Sequence, residues 1–168
     1  MLNVNQIVQM LGLNPLPKEG GFYAETYRSS DIIPHAALPQ GRYPVDKSLC
    51  TAIYYLLTPE TKSLIHRLPS DEIFHFYLGD PVQMLQLSPN GEGRIIELGH
   101  DIVGGQTIQA MVPAGTWQGS RLLPGGEYAL MGTTVAPGFD FSDYEAGRRG
   151  QLIQQFPQFR EIIEELTE

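Results

Sequence analysis

Residues 63–81 read SLIHRLPSDEIFHFYLGDP, and the fold follows from how this stretch is parsed. Two short apolar segments, Ser63 to Leu68 and Glu72 to Leu78, flank a turn made of Pro69, Ser70 and Asp71. The stretch therefore predicts a β-turn-β unit, because proline and small polar residues punctuate runs of strand-forming side chains. Strict alternation puts Leu64, His66 and Leu68 on one face, and Glu72, Phe74, Phe76 and Leu78 on another. An imidazole and a carboxylate on inward faces cost free energy unless they pair or meet a ligand. The pattern thus points to the lining of a pocket.

Outward from this stretch the same rhythm continues, with a turn signal about every ten residues. It predicts strands near 49–57, 63–68, 72–78, 82–87, 94–98, 107–112, 116–122 and 127–135, punctuated by pairs such as Asp80-Pro81, Asn90-Gly91 and Gly125-Gly126. Asn90-Gly91 between two alternating runs is the best hairpin signal in the chain. An earlier strand is expected over Phe22 to Arg28, with Phe22, Ala24 and Thr26 opposed to Tyr23, Glu25 and Tyr27. Residues 29–48, with Pro34, Pro39, Gly41 and Pro44, read as an irregular loop over a mouth or as a dimer contact. Many short strands with Gly and Pro corners specify an all-β sandwich or barrel.

Helices are expected only at the ends. Val4, Ile7, Val8 and Leu11 have helical spacing, Asn3 with Gln6 forms a capping-box pattern and Gly12 is placed to stop the helix, giving a helix over 3–12. A second helix is expected over 156–166, where Phe156, Phe159, Ile162, Ile163 and Leu166 make one apolar stripe. The 168 residues are read as a single domain, 1–168, with a barrel core about 20–137.

Composition narrows the function classes. The formal charge is −8, from 19 acidic and 11 basic residues with no basic run, which argues against a nucleic-acid or anionic-membrane partner. The one cysteine, Cys50, sits in an apolar stretch and has no partner for an internal disulfide. MLNVNQIVQMLGL has neither the basic leader nor the cleavage site of a signal peptide, so a cytoplasmic location is expected.

A second polar cluster, VPAGTWQG at residues 112–119, completes a pattern. Together the two clusters resemble the paired motifs of the cupin superfamily. His66, Glu72 and Gly79 fall on the histidine, glutamate and closing glycine of the first motif, and Pro113, Gly115 and Gln118 on the proline, glycine and last histidine of the second. Leu68 stands where the second histidine is expected, Gln118 replaces the third, and Glu60 occupies the place of the first glycine. A closer resemblance, carried by HRLPSDEIFHFYLGDP, VPAGTWQGS and LMGTTVAPGFDF, is to a small cupin family long filed as a domain of unknown function. This resemblance implies a double-stranded β-helix, or jelly-roll barrel, commonly a homodimer. The barrel is also similar to the metal-free sugar-nucleotide epimerases that act on 4-keto-6-deoxyhexoses. Those enzymes use a histidine base at a place like that of His66, but Met131 stands near where their tyrosine acid would fall.

The candidate catalytic residues are therefore His66 as base and Glu72 orienting it. Gln118 offers a donor and an acceptor to a ligand, and Thr116 shares its face. Phe74 and Phe76 are core or ligand platform. Tyr54 and Tyr55 face opposite sides, with Tyr55 taken as the one that lines the barrel. His75 follows Glu72 by three positions, so it reaches the pocket only if a bulge intervenes. Three classes stay open: a metal-independent isomerase or epimerase-like enzyme on a small polar molecule or sugar nucleotide, a non-catalytic pocket for a small ligand, and a divalent-metal cupin enzyme. The last is disfavoured, and no metal ligands are assigned, because one imidazole and one carboxylate fall short of the three protein ligands typical of catalytic sites.

Overall fold

The computed structural model describes residues 2–168. It opens with α1 (Val4–Leu11), capped reciprocally by the side chains of Asn3 and Gln6 and ended by Gly12 at φ 63°. The strands follow as β1 (Asn14–Pro15), β2 (Phe22–Arg28), β3 (Ile32–Ile33), β4 (Lys47–Ser48), β5 (Thr51–Leu57), β6 (Ser63–Arg67) and β7 (Asp71–Gly79). After them come β8 (Val82–Leu87), β9 (Gly93–Leu98), β10 (Gln109–Val112), β11 (Trp117–Leu122), β12 (Ala129–Ala136) and β13 (Glu145–Ala146). All eight strands expected between 49 and 135 are present.

Two antiparallel sheets face each other as a jelly roll, one in the order β1-β2-β5-β12-β7-β10 and the other β13-β6-β11-β8-β9. β6 and β7 lie in opposite sheets. The turn at Pro69–Ser70 therefore carries the chain across the barrel and does not close a hairpin, which brings His66 and Glu72 to the interior from two sides. Asn90-Gly91 does close the β8–β9 hairpin, but only Gly91 is left-handed (φ 91°), while the Asn90 side chain accepts from the Glu92 amide.

Both outer faces are covered by helix. Ile7 of α1 packs with Leu13, Leu56 and Leu130 on one sheet. Leu152, Phe156, Ile162, Ile163 and Leu166 pack on Ile65, Leu85 and Leu87 of the other. The C-terminal stripe is buried as its spacing demands, yet the single helix expected over 156–166 is not formed. Helix α2 (Arg149–Gln155) ends at Phe156, a 3₁₀ turn spans Pro157–Phe159, and α3 (Arg160–Glu165) follows. Pro157 has no N–H to continue α2 and suits the first turn of what comes next.

Residues 29–48 are less irregular than expected. β3 pairs with β4, a 3₁₀ turn spans His35–Ala37, and Lys47 forms an ion pair with Asp143 in which both side chains are almost fully buried.

Three bulges reset which side chains face inward. Thr26 is an extra residue between the pairs Glu25–Ile53 and Tyr27–Ala52, so Arg28, and not Tyr27, joins Glu25 on the inner face. An extra residue between Ser63 and His66 places Ser63, and not Leu64, beside His66. Tyr77 is the third, and it turns Leu78 outward to 46% exposure, away from Glu72, Phe74 and Phe76. In each case one added residue inverts the alternation beyond it.

Candidate functional site

The inner side chains of β5, β7 and β12 change character along the strands. Tyr55, Leu57, Phe74, Phe76, Ala129 and Met131 belong to the packed core between the sheets. Toward the other end, Thr51, Ile53, Glu72, Thr133 and Val135 line a cavity of about 310 Å³. The bulged β2 adds Tyr23, Glu25 and Arg28, β6 adds His66, and Leu68 follows it. Phe139, Asp140 and Phe141 form the mouth. That segment is held by Arg28 Nη2, which donates to the Phe139 carbonyl at 3.1 Å, and by the Thr51 hydroxyl, which accepts from the Phe139 amide at 3.0 Å.

His66, Glu72 and Gln118 come together as their spacing suggested, at 2%, 7% and 1% exposure. Gln118 pairs in register with His66 across β6 and β11. His66 Nδ1 lies 2.8 Å from the Leu64 carbonyl oxygen. A carbonyl only accepts, so Nδ1 carries a proton. His66 Nε2 faces the amide nitrogen of Gln118 at 2.9 Å, and the same nitrogen donates to Glu72 Oε2 at 3.3 Å. Gln118 therefore sits behind the other two and ties them together without lining the cavity itself. Its Oε1 is buried with no partner among the described residues.

The other candidates lie elsewhere. Tyr55, Phe74 and Phe76 are core, and the Tyr55 hydroxyl donates to the Gly20 carbonyl at 3.0 Å. Burial lifts the Tyr55 phenol well above its ordinary range. Thr116 is buried beside a separate recess that includes Gln86 and Arg94. His75 is on the outer face of its sheet, where Nδ1 and Nε2 meet Gln109 and Thr134. The bulge that could have brought it inward falls at Tyr77, beyond it.

Two residues that the strand pattern did not mark complete the site. Glu19 lies in the turn before β2, where its carbonyl accepts from the Leu64 amide at 2.8 Å. Its carboxylate reaches Ser63 Oγ at 3.0 Å and stands 3.6 Å from His66 Nε2. Tyr144 stacks on the His66 ring with centroids 4.9 Å apart and planes 25° from parallel. Partial burial, with Glu19 and Glu168 nearby, pushes the Tyr144 hydroxyl far above its usual range. Neither position could be found by periodicity, since both lie in irregular segments.

Burial, and after it the charge of Glu19, raises the Glu72 carboxyl to about 7, against the opposing pull of His66 and the nearby Thr133 hydroxyl. Glu72 is thus divided between its protonated and ionised forms at neutral pH, which suits a group that both takes and gives a proton. At the mouth, Arg28 is committed elsewhere. It donates to Glu25 at 3.0 and 2.7 Å, and this pairing raises its pKa further. Asp140 is held low by the Ser142 hydroxyl and amide.

The metal-binding positions implied by the resemblance do not fit a metal ion here. Leu68 puts hydrocarbon in one ligand position, and Gln118 fills another with an amide directed at His66 and Glu72. Among the described residues no three His, Cys, Asp or Glu side chains are arranged to hold a metal ion.

A family model described as the cupin superfamily (DUF985) matches residues 5–147. The chain belongs to this cupin family. The uncharacterised protein YML079W of Saccharomyces cerevisiae is 31% identical over 134 residues, covering 76% of this chain and 67% of that protein. The crystal structure of protein SO0799 from Shewanella oneidensis superposes on this cupin with a TM-score of 0.85 and 32% identity, covering 100% of this chain and 99% of the other. A hypothetical protein from Leishmania major gives a TM-score of 0.87 at 30% identity, covering 99% of each chain. No helix among the described residues is long and apolar enough to cross a membrane.

Proposed function

We propose that this cupin binds a small molecule in the barrel cavity and moves a proton on it, as a metal-independent isomerase does. The observation that carries this reading is the meeting of His66, Glu72 and Glu19, from two sheets and a turn, at the wall of one cavity. Glu72 is the better proton carrier of the candidate pair, because both nitrogens of His66 already have partners in Leu64 and Gln118. Its carboxylate would take a proton from a carbon acid and return it to another position, so the net reaction needs no oxidant or second substrate. His66 and Gln118 would hold that carboxylate in place. A sugar nucleotide fits poorly, since Arg28 is the one Arg or Lys among the described lining residues and it is already paired.

The test is deuterium wash-in from D₂O, followed by NMR, over a panel of small carbonyl compounds that includes keto sugars. Exchange at a carbon beside the carbonyl is expected, reduced about 10²–10⁴-fold in Glu72→Gln. A second reading, binding without turnover, is favoured by the engagement of both His66 nitrogens. It prevails if compounds bind in the cavity and none exchanges.

A further inference from the structure

We propose that the cavity receives the ammonium group of a small organic amine. This rests on the reading of the cavity as the binding site and adds the chemical class of what enters it. Glu19 and Glu72 lie at the inner wall with no Arg or Lys beside them among the described lining residues, because Arg28 is bound at the mouth to Glu25 and the Phe139 carbonyl. Glu72 is more than nine-tenths buried, yet the donors near it are the Gln118 amide at Oε2 and the Thr133 hydroxyl, both of them neutral. Its other oxygen is not sealed off, and the residue lines the cavity. A buried carboxylate served only by neutral donors is best satisfied, when ionised, by a charged one.

The walls suit the same ligand. Tyr23, Phe139 and Phe141 bring three aromatic rings to the cavity, with Phe139 and Phe141 packed edge to face at 5.2 Å. Ring faces attract organic cations, and the attraction grows when water is excluded. The volume holds about ten water molecules, which limits the occupant to a small molecule. An anion meets Glu19 and the ionised fraction of Glu72 with no unpaired Arg or Lys among the described lining residues to offset them, and a neutral alcohol leaves that charge uncompensated.

The experiment compares benzylamine, benzyl alcohol and benzoate, which share a carbon skeleton and differ in charge, by NMR titration of the full chain at pH 7. Benzylamine is expected to bind at least about tenfold more tightly than the alcohol, with amide shifts confined to the cavity-lining segments, Glu72 on β7 and Phe139 to Phe141 at the mouth among them, and benzoate should not saturate. Benzylamine affinity should also rise about tenfold from pH 6 to pH 8 as Glu72 ionises. The groups that face Glu72 are Glu19, His66, Gln118, Thr133 and Tyr55, and none supplies a compensating Lys or Arg. Glu72→Gln should lower amine affinity about tenfold and flatten the pH dependence while leaving the alcohol unaffected; if that variant does not fold, Glu19→Gln should weaken the amine relative to the alcohol and move the pH dependence downward, because the Glu19 charge raises Glu72.

Equal or tighter binding of the alcohol overturns the amine assignment and leaves the cavity as a binding site. Amine shifts on the outer surface, or no saturable shift with any of the three, also overturn it. The deuterium assay decides the proton-transfer reading separately.

Discussion

The two ends of the barrel interior are built on the same three strands and do opposite things. On β5, β7 and β12, Tyr55, Phe76 and Met131 meet in register and seal one end, with exposures of 1%, 5% and 0%. Two residues along β5 and β12 the facing pair is Ile53 and Thr133. One step further, Val135 stands beside both Thr51 and Glu72. No break in the sheet separates these ends. Smaller and polar side chains at the same inward positions leave space where larger apolar ones would fill it, so the cavity is an absence of hydrocarbon specified residue by residue.

The comparison can be broken at its closed end first. Phe76 is 5% exposed and packed among core residues of both sheets. Phe76→Ala should therefore cost about 3–5 kcal/mol in a denaturant titration, the range for deleting a buried aromatic ring. A loss below about 1 kcal/mol would mean that this end is as loosely filled as the other.

The next effect belongs to the open end and has the opposite sign. Glu72 is raised from 4.5 in the unfolded chain to about 7 in the fold. Its contribution to stability is therefore fully present below pH 4.5, where it is protonated in both states, and is lost as pH rises through about 7. The full excursion is about 3 kcal/mol. Glu72→Gln, which keeps a neutral group of the same shape, should remove this slope and leave the variant more stable than the parent at pH 8. Parallel pH profiles for the two proteins would show that the carboxyl is not held in a desolvated place.

The closed end was far more legible in the sequence than the open one. Turn residues such as Asp80-Pro81 and Gly125-Gly126 mark where strands stop, so the strand set was readable from punctuation and alternation. Pairing between sheets was not, because β6 and β7 look like a hairpin until the chain is seen to cross the barrel. His66, Glu72 and Gln118 could be grouped from spacing and family resemblance. Glu25 with Arg28, and Ser63 with His66, could not, because each pairing depends on one bulged residue that no turn signal announces. Glu19 and Tyr144 carry still less signal. Their positions depend on tertiary contacts of irregular backbone, such as the Leu64 amide donating to the Glu19 carbonyl.

The smallest expected effect sharpens the contrast most, because it changes the chemistry of the open end without changing its shape. Thr133 is 4% exposed on β12, opposite Phe74, and its hydroxyl lowers the Glu72 pKa against the larger effects of burial and Glu19. Thr133→Val replaces that hydroxyl with a methyl group at nearly constant volume. Removing a dipole that favours the carboxylate should move the Glu72 titration upward from about 7, as read by the carboxyl carbon in an NMR pH series. Global stability should fall by about 0.5–1.5 kcal/mol, the net worth of one hydrogen bond, since no void is created. A midpoint that stays in place or falls would mean that Glu72 is governed by something other than the cavity wall. The division of the barrel into a packed end and a cavity end would then have to be redrawn around His66 and Gln118.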